Sequence, residues 1–156
     1  MKLLLDTTYL LPAIGISIKN IPKEAVITLI EKGYQVLISE VTIFELSAKG
    51  AKYVADGSLP PERICKGIKA ILHDDRIEVI PLHDTPILLT AFKIRKVLND
   101  FIDCIILSSA INRADILITE DEDLHNLSRG TIQTIKPKFK IHSLKDILQI
   151  EERQRD

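Results

Sequence analysis

Tryptophan is absent from the 156-residue chain, and aromatic residues make up only 4% of it. With 46% of residues hydrophobic, the apolar content is therefore aliphatic, rich in isoleucine and leucine. That composition suits buried parallel strands and the helices that cover them. Cysteine is scarce too. Cys65 and Cys104 form no CxxC pair and no disulfide framework. Both read as small buried apolar residues in a reduced, cytoplasmic setting. Long hydrophobic runs are missing. Asp6 interrupts the N-terminal leucines, which excludes a signal-peptide core. The stretch from Tyr9 to Ile18 contains Pro12 and Gly15 and is too short to span a bilayer, so no membrane association is expected. No charge of one sign dominates. A net charge of −1 argues against a dedicated duplex binder. The local basic groups, Lys93, Arg95 and Lys96 and then Lys136, Lys138 and Lys140, read as solvated surface. His73, His83, His125 and His142 make no HxxxH or HxH pair, and read as surface or hydrogen-bonded core residues. There is no repeat, low-complexity block or linker, so one domain over 1–156 is expected.

What is present is an alternation of strand and helix signals. Lys2–Leu5 reads as a buried strand ending at Asp6-Thr7-Thr8. A short helix is predicted over Tyr9–Ile16, and a second from Pro22 to a stop at Gly33. Gln35–Ile38 reads as strand two, with Ser39 as N-cap of the following helix. After a turn at Asp56-Gly57-Ser58 and Pro60-Pro61 come a helix over Glu62–Leu72 and a third strand over Ile77–Ile80. Thr85-Pro86 opens a helix through Val97, and Asn99 caps another over Asp100–Asn112. Ile116–Ile118 is strand four, and Thr119–Asp123 leads into a helical turn. Phe139–Ile141 is a fifth strand, and Ser143 caps a last helix that frays into Glu151–Asp156. Such alternation implies an α/β fold with a parallel sheet covered on both faces. The binding crevice of such a sheet lies beyond the C-terminal ends of its strands.

Four carboxylates are placed to meet there. Asp6 follows strand one, Glu45 lies near the start of the helix after strand two, Asp103 opens a helix, and Asp121 follows strand four. Each has a local alternative role. Asp6 and Asp121 could cap helical turns, Thr42-x-x-Glu45 matches a capping box, and Asp100 and Asp103 suit a helix N-terminus. None of these local roles explains why all four reach one edge of one sheet. A bare cluster of acids repels itself and needs a cation. Carboxylate donors without cysteine or histidine suit Mg²⁺ or Mn²⁺ rather than Zn²⁺. Hard-cation sites of this kind activate water and neutralise charge at a phosphoryl centre.

At these residues the sequence resembles the PIN-domain family. Leu3-Leu4-Leu5-Asp6-Thr7-Thr8 resembles its first motif, and Glu45 within Ser39–Leu46 its second. Asp103 opening Cys104–Ala110 resembles the third, and Ile116–Leu124, with Thr119 and Asp121, the fourth. The four motifs in order extend the resemblance over nearly the whole chain. The resemblance implies a three-layer α/β/α sandwich with a central parallel sheet of four to five strands. It also implies a divalent-metal-dependent ribonuclease activity, and a homodimer. Many small bacterial and archaeal members are VapC-like toxins held by an antitoxin. Two departures, Leu107-Ser108-Ser109 in place of a run of alanines and a long stretch between Glu45 and Asp103, bear on the toxin role more than on the fold.

By that resemblance Asp6, Glu45, Asp103 and Asp121 form a metal-binding core for Mg²⁺ or Mn²⁺. Asp6 and Asp103 are the direct ligands, and Glu45 and Asp121 complete the sphere and orient the attacking water. Thr8 and Thr119 hydrogen-bond the carboxylates from behind. Asp100 and Asp123 either hold a second metal or lie on the surface. The expected substrate is RNA, single-stranded because a near-neutral chain with few aromatics has little means to melt a duplex. The rival readings are a catalytically inactive PIN module that binds RNA or protein, an aspartyl-phosphate phosphatase, and a phospho-switch. The phosphatase would need a second acid where Thr8 stands.

Overall fold

A computed structural model describes residues 1–127 and 130–155, with the backbone alone for 151–155. Five parallel strands, β1 (Lys2–Leu5), β2 (Gln35–Ser39), β3 (Ile77–Ile80), β4 (Ile116–Ile118) and β5 (Lys140–His142), form one sheet in the order β3-β2-β1-β4-β5. The central strand β1 has Leu4 in register with Leu37 of β2 on one side and with Leu117 of β4 on the other.

Side-chain alternation along each strand divides the core into two layers. Leu3, Leu5, Val36, Ile38, Ile116 and Ile118 face one layer, and Leu4, Leu37 and Leu117 face the other. The first layer is closed by a 3₁₀ helix (Thr7–Ile14), α1 (Ala25–Glu31), α2 (Glu40–Ala55), α3 (Pro61–Leu72) and α8 (Leu144–Arg155). The second is closed by α4 (Thr85–Ile94), α5 (Phe101–Arg113), α6 (Glu122–Leu127) and α7 (Thr131–Ile135). Both faces of the sheet are covered, so the inner strands β1, β2 and β4 are mostly apolar, and the expected three-layer α/β/α sandwich is what the chain adopts. No helix among the described residues is long and apolar enough to cross a membrane.

Several local expectations are corrected. The segment after Asp6 is 3₁₀ rather than α-helical, and it ends at Gly15, whose φ of 96° few other residues accept and whose N–H bonds to Pro12 O. Helix α1 begins at Ala25 rather than Pro22, and α4 ends at Ile94, leaving Val97 exposed. Strand β5 starts one residue later than expected, and α7 was not anticipated. Cys65 is exposed, because on α3 it is the neighbouring Ile64 that turns inward. Lys136 is not merely solvated: its ammonium donates to Ile111 O and Ala114 O, satisfying carbonyls at the end of α5. His142 Nε2 is buried without a hydrogen-bond partner, against the expectation of a satisfied histidine. Ser143 does cap α8, its hydroxyl accepting from Asp146 N–H at 3.2 Å while Asp146 Oδ2 accepts from Ser143 N–H at 2.9 Å.

The 3₁₀ helix carries the residues immediately after Asp6, and α3 fixes its position by direct backbone contact. At Gly67 of α3 an added Cβ would lie 2.3 Å from Ala13 O, far inside van der Waals contact. Arg63, one turn earlier, donates to the same carbonyl at 2.6 Å.

Candidate metal centre

Strand β1 delivers Asp6 to the C-terminal edge of the sheet, and Asp6 N–H donates to Ile118 O at 3.0 Å, locking that edge to β4. The side chain is only 9% exposed. One carboxylate oxygen accepts from Thr7 N–H at 2.7 Å, so Asp6 caps the 3₁₀ helix. The other accepts from the Thr119 hydroxyl at 2.8 Å. Burial pushes the acid above the usual carboxylate range; the Thr119 and Thr7 bonds oppose that shift, and Glu45 adds to it.

Glu45 stands in the second turn of α2. Its Oε2 accepts from the Thr7 hydroxyl, which also lies 3.5 Å from Thr42 Oγ1. Its Oε1 pairs with the Lys49 ammonium at 3.1 Å. The capping-box alternative is therefore excluded: Thr42 is buried inside the helix, and Glu45 reaches out to β1's exit rather than back to the helix start. Ser39 occupies the N-cap position of α2 without capping it, its hydroxyl accepting instead from Ser109 of α5 at 3.2 Å.

Asp103 lies in the first turn of α5. The cap of that helix is Asp100, not Asn99: Asp100 Oδ1 accepts from Ile102 N–H at 2.8 Å and Asp103 N–H at 3.4 Å. Burial, followed by repulsion from Asp100, Asp6, Asp121 and Glu45, pushes the Asp103 carboxyl up to about 7. Asp121 leaves β4 and caps α6, with Oδ1 accepting from Asp123 N–H at 2.8 Å and Leu124 N–H at 3.1 Å. Its own N–H donates to Thr119 Oγ1 at 3.1 Å, so one threonine hydroxyl serves both Asp6 and Asp121.

These elements enclose a crevice of about 360 Å³ lined by Asp6, Thr8, Glu45, Lys49, Asp100, Asp103, Glu120 and Asp121. Asp123 is not part of it. It lines an adjoining cavity of about 630 Å³ with Asn99 and Asn126, and Asp100 and Asp103 form the wall that the two cavities share. The threonine that bonds a carboxylate next to Asp6 is Thr7 rather than Thr8, because the tight 3₁₀ turn swings position 7 toward α2. Lys49 and Glu120 were missed as well. Lys49 was detectable as the residue four places after Glu45 on one helix. Glu120 is fixed by the Tyr9 hydroxyl and by Leu144 N–H at 3.2 Å, a contact between distant segments that no local pattern signals. The Tyr9 phenol is held well above its ordinary pKa, first by burial and then by that carboxylate.

Among the described residues no three Asp, Glu, His or Cys side chains stand close enough together to enclose an ion. The acids ring the crevice as an open set, the arrangement expected of like charges held apart by repulsion. The donors are oxygens throughout, and the crevice sets several carboxylates against the single ammonium of Lys49, with burial first and then repulsion among the acids holding Asp103 above the usual carboxylate range. Both features fit a hard divalent cation of the Mg²⁺ or Mn²⁺ type.

The PIN-domain profile matches residues 3–130, which include all four of these acids. The chain belongs to the PIN-domain family. Solved structures similar to this PIN domain include VapBC2 from Rickettsia felis bound to a DNA fragment from its promoter, with TM-score 0.61 and 19% identity over 92% of this chain and 98% of that one. DNA-bound VapBC from Salmonella typhimurium has TM-score 0.60 and 25% identity, again over 92% and 98% of the two chains. VapBC-1 from nontypeable Haemophilus influenzae has TM-score 0.61 and 20% identity over 93% and 99%. No curated protein sequence is a significant match to the chain.

Proposed function

We propose that this PIN domain, occupying 1–156 as a single unit, is a Mg²⁺- or Mn²⁺-dependent nuclease that hydrolyses phosphodiester bonds in single-stranded RNA in the cytoplasm. The observation that carries the reading is the crevice at the C-terminal edge of the sheet that Asp6, Glu45, Asp103 and Asp121 line together, with Asp103 held above the usual carboxylate range by burial and by the neighbouring acids. Asp6 and Asp103 would be the direct ligands, with Glu45 and Asp121 completing the sphere and orienting the attacking water. The bound ion supplies charge neutralisation at the phosphate and a more acidic water. The chain's own groups hold the geometry: Thr119 fixes Asp6 and the Asp121 backbone, and Thr7 fixes Glu45. Asp100, committed to capping α5, and Asp123, in the adjoining cavity, belong to the surroundings rather than to the ion.

The partners follow from the resemblance and from the surface. Leu89, Phe92, Val97 and Phe101 are exposed, with Phe92 and Phe101 stacked at 5.9 Å between ring centroids. An exposed apolar patch of this kind suits a homodimer. Likeness to VapBC complexes supports an antitoxin partner encoded elsewhere. A second reading, a PIN module that binds RNA or protein without cutting, draws on the openness of the acid ring.

The deciding experiment incubates the purified protein with structured and unstructured RNA in Mn²⁺, in Mg²⁺ and in EDTA. Cleavage of unstructured RNA is expected only with metal, leaving 5′-phosphate ends, since water attacks and the 3′-oxygen departs. Cleavage that persists in EDTA or leaves 2′,3′-cyclic ends would overturn the reading. Metal binding without cleavage would establish the inactive module instead.

A further inference from the structure

The crevice sets six carboxylates, Asp6, Glu45, Asp100, Asp103, Glu120 and Asp121, against one ammonium, that of Lys49. A nucleic-acid phosphate approaching so anionic a surface meets strong repulsion unless positive charge is brought to it. Lys49 is the one basic side chain among the described residues that line the crevice, yet its charge is already taken up. Its ammonium lies 3.1 Å from Glu45 Oε1, while Glu45 Oε2 is taken by Thr7. Both oxygens of Glu45 are therefore engaged, and a cation coordinated by Oε1 would have to share that oxygen with an ammonium of like charge. The Lys49 side chain is 39% exposed, and its four-carbon stem is flexible.

We infer that Lys49 is a phosphate-binding residue held in reserve by Glu45 and released when a divalent ion takes its place. The inference rests on the nuclease reading and adds a regulation to it: metal and lysine compete for one carboxylate oxygen, and the displaced ammonium then meets the nucleic-acid backbone. Two couplings follow. Removing the ammonium strengthens metal binding, because nothing has to be displaced. Removing it also weakens binding to nucleic acid, but only in the metal-loaded protein. The lysine end of the pair is at the surface, and a Glu-to-Lys pair four residues apart on a helix contributes little to stability, so the fold survives the change.

The test compares the full chain with its Lys49→Met and Lys49→Arg variants. Mn²⁺ affinity is read from the melting shift across a titration without RNA. Binding of a fluorescein-labelled oligouridine is read by anisotropy across a salt series, once in Ca²⁺ and once in EDTA. Lys49→Met is expected to bind Mn²⁺ roughly fivefold more tightly or better, within the ordinary range of coupling between sites. In Ca²⁺ its log–log salt dependence for oligouridine should be shallower by about 0.7, the loss of one phosphate contact on a single strand, with no difference in EDTA. Lys49→Arg should restore the salt dependence. Equal Mn²⁺ affinity in wild type and Lys49→Met overturns the inference, as does a salt dependence lost equally in Ca²⁺ and EDTA, which would make Lys49 a permanent surface contact. A wild-type protein that ignores Mn²⁺ removes the nuclease reading and this inference together; one that binds Mn²⁺ while Lys49→Met behaves identically removes this inference alone.

Discussion

The Thr119 hydroxyl donates to Asp6 Oδ2 at 2.8 Å across a sequence separation of 113 residues, joining the ends of β1 and β4. Asp6 is 9% exposed, so this donor stands in for water that the carboxylate has lost. Thr119→Val keeps the shape and deletes the donor. Leaving a buried acceptor unsatisfied costs about 1–3 kcal/mol. Urea unfolding in EDTA should show a loss of that size for Thr119→Val and far less for Thr119→Ser. Equal stability of the valine variant would mean that Asp6 finds another partner.

Stability of the metal-free protein should fall as pH rises from about 4 to about 7. Asp103 sets the window. Its folded pKa is raised from 3.8 to about 7, so between those values the folded state holds a proton that the unfolded state has released. The folded protein is then favoured at the acid end of the window and loses that advantage above it. Burial raises Asp6 as well and acts in the same direction. Urea midpoints in EDTA should be higher at pH 5 than at pH 7.5, and Asp103→Asn should flatten the difference. An unchanged pH profile in that variant would show that Asp103 ionises freely.

The fold was largely legible in the sequence because its signal is carried by continuous apolar runs. Leu3-Leu4-Leu5, Val36-Leu37-Ile38 and Ile116–Ile118 can bury both faces only inside a sheet covered on both sides. The acids were legible because each ends or begins such a run. What failed was one-residue choices settled by three-dimensional closure. Thr7 rather than Thr8 bonds Glu45, and Asp100 rather than Asn99 caps α5. Asn and Asp cap about equally well, so local preference could not separate the two candidates for α5. Glu120 was not legible, because its partners Tyr9 and Leu144 come from opposite ends of the chain.

Asp6→Asn and Asp103→Asn separate a catalytic role from a structural one. Each should lower RNA cleavage by about a hundredfold or more, the scale seen when a group that positions transition-state charge is removed. Asp103→Asn should leave metal-free stability unchanged or raised, since it removes a charge repelled by Asp100, Asp6, Asp121 and Glu45. Mn²⁺ should raise the melting temperature of the wild type and act weakly on the variant. Full cleavage by either variant returns these acids to a structural role.

Gly67→Ala tests how tightly the 3₁₀ helix is seated. Replacing a mid-helix glycine by alanine ordinarily gains about 1 kcal/mol in helix propensity. Here the new methyl would lie 2.3 Å from Ala13 O, a backbone atom that cannot rotate away. Overpacking of this kind costs about 1–3 kcal/mol or more, so the net change should be destabilising. Thermal unfolding reads the sign directly, and a stabilised variant would mean that α3 shifts easily.

Phe92→Glu tests the dimer. Phe92 is 56% exposed and stacked on Phe101, so the change removes apolar surface without opening the core. Light scattering should report a dimer for the wild type and a monomer for the variant, with melting in Mn²⁺ otherwise preserved. A monomeric wild type across the micromolar range refutes the dimer and leaves the nuclease reading untouched.

The sheet order places β1 between β2 and β4, so the first strand of the chain waits for the fourth before its inner edge is paired. Until residues 116–119 are present, Asp6 lacks both the Ile118 carbonyl that anchors its backbone and the hydroxyl that holds its side chain. Asp103 and Asp121 arrive equally late. A nascent or truncated chain therefore carries Asp6 and Glu45 as isolated surface acids and has no site. Such long-range closure also slows folding. Strand order thus makes the crevice all-or-none: a chain that lacks residues 116–121 holds some of these acids but not the cavity that they line together.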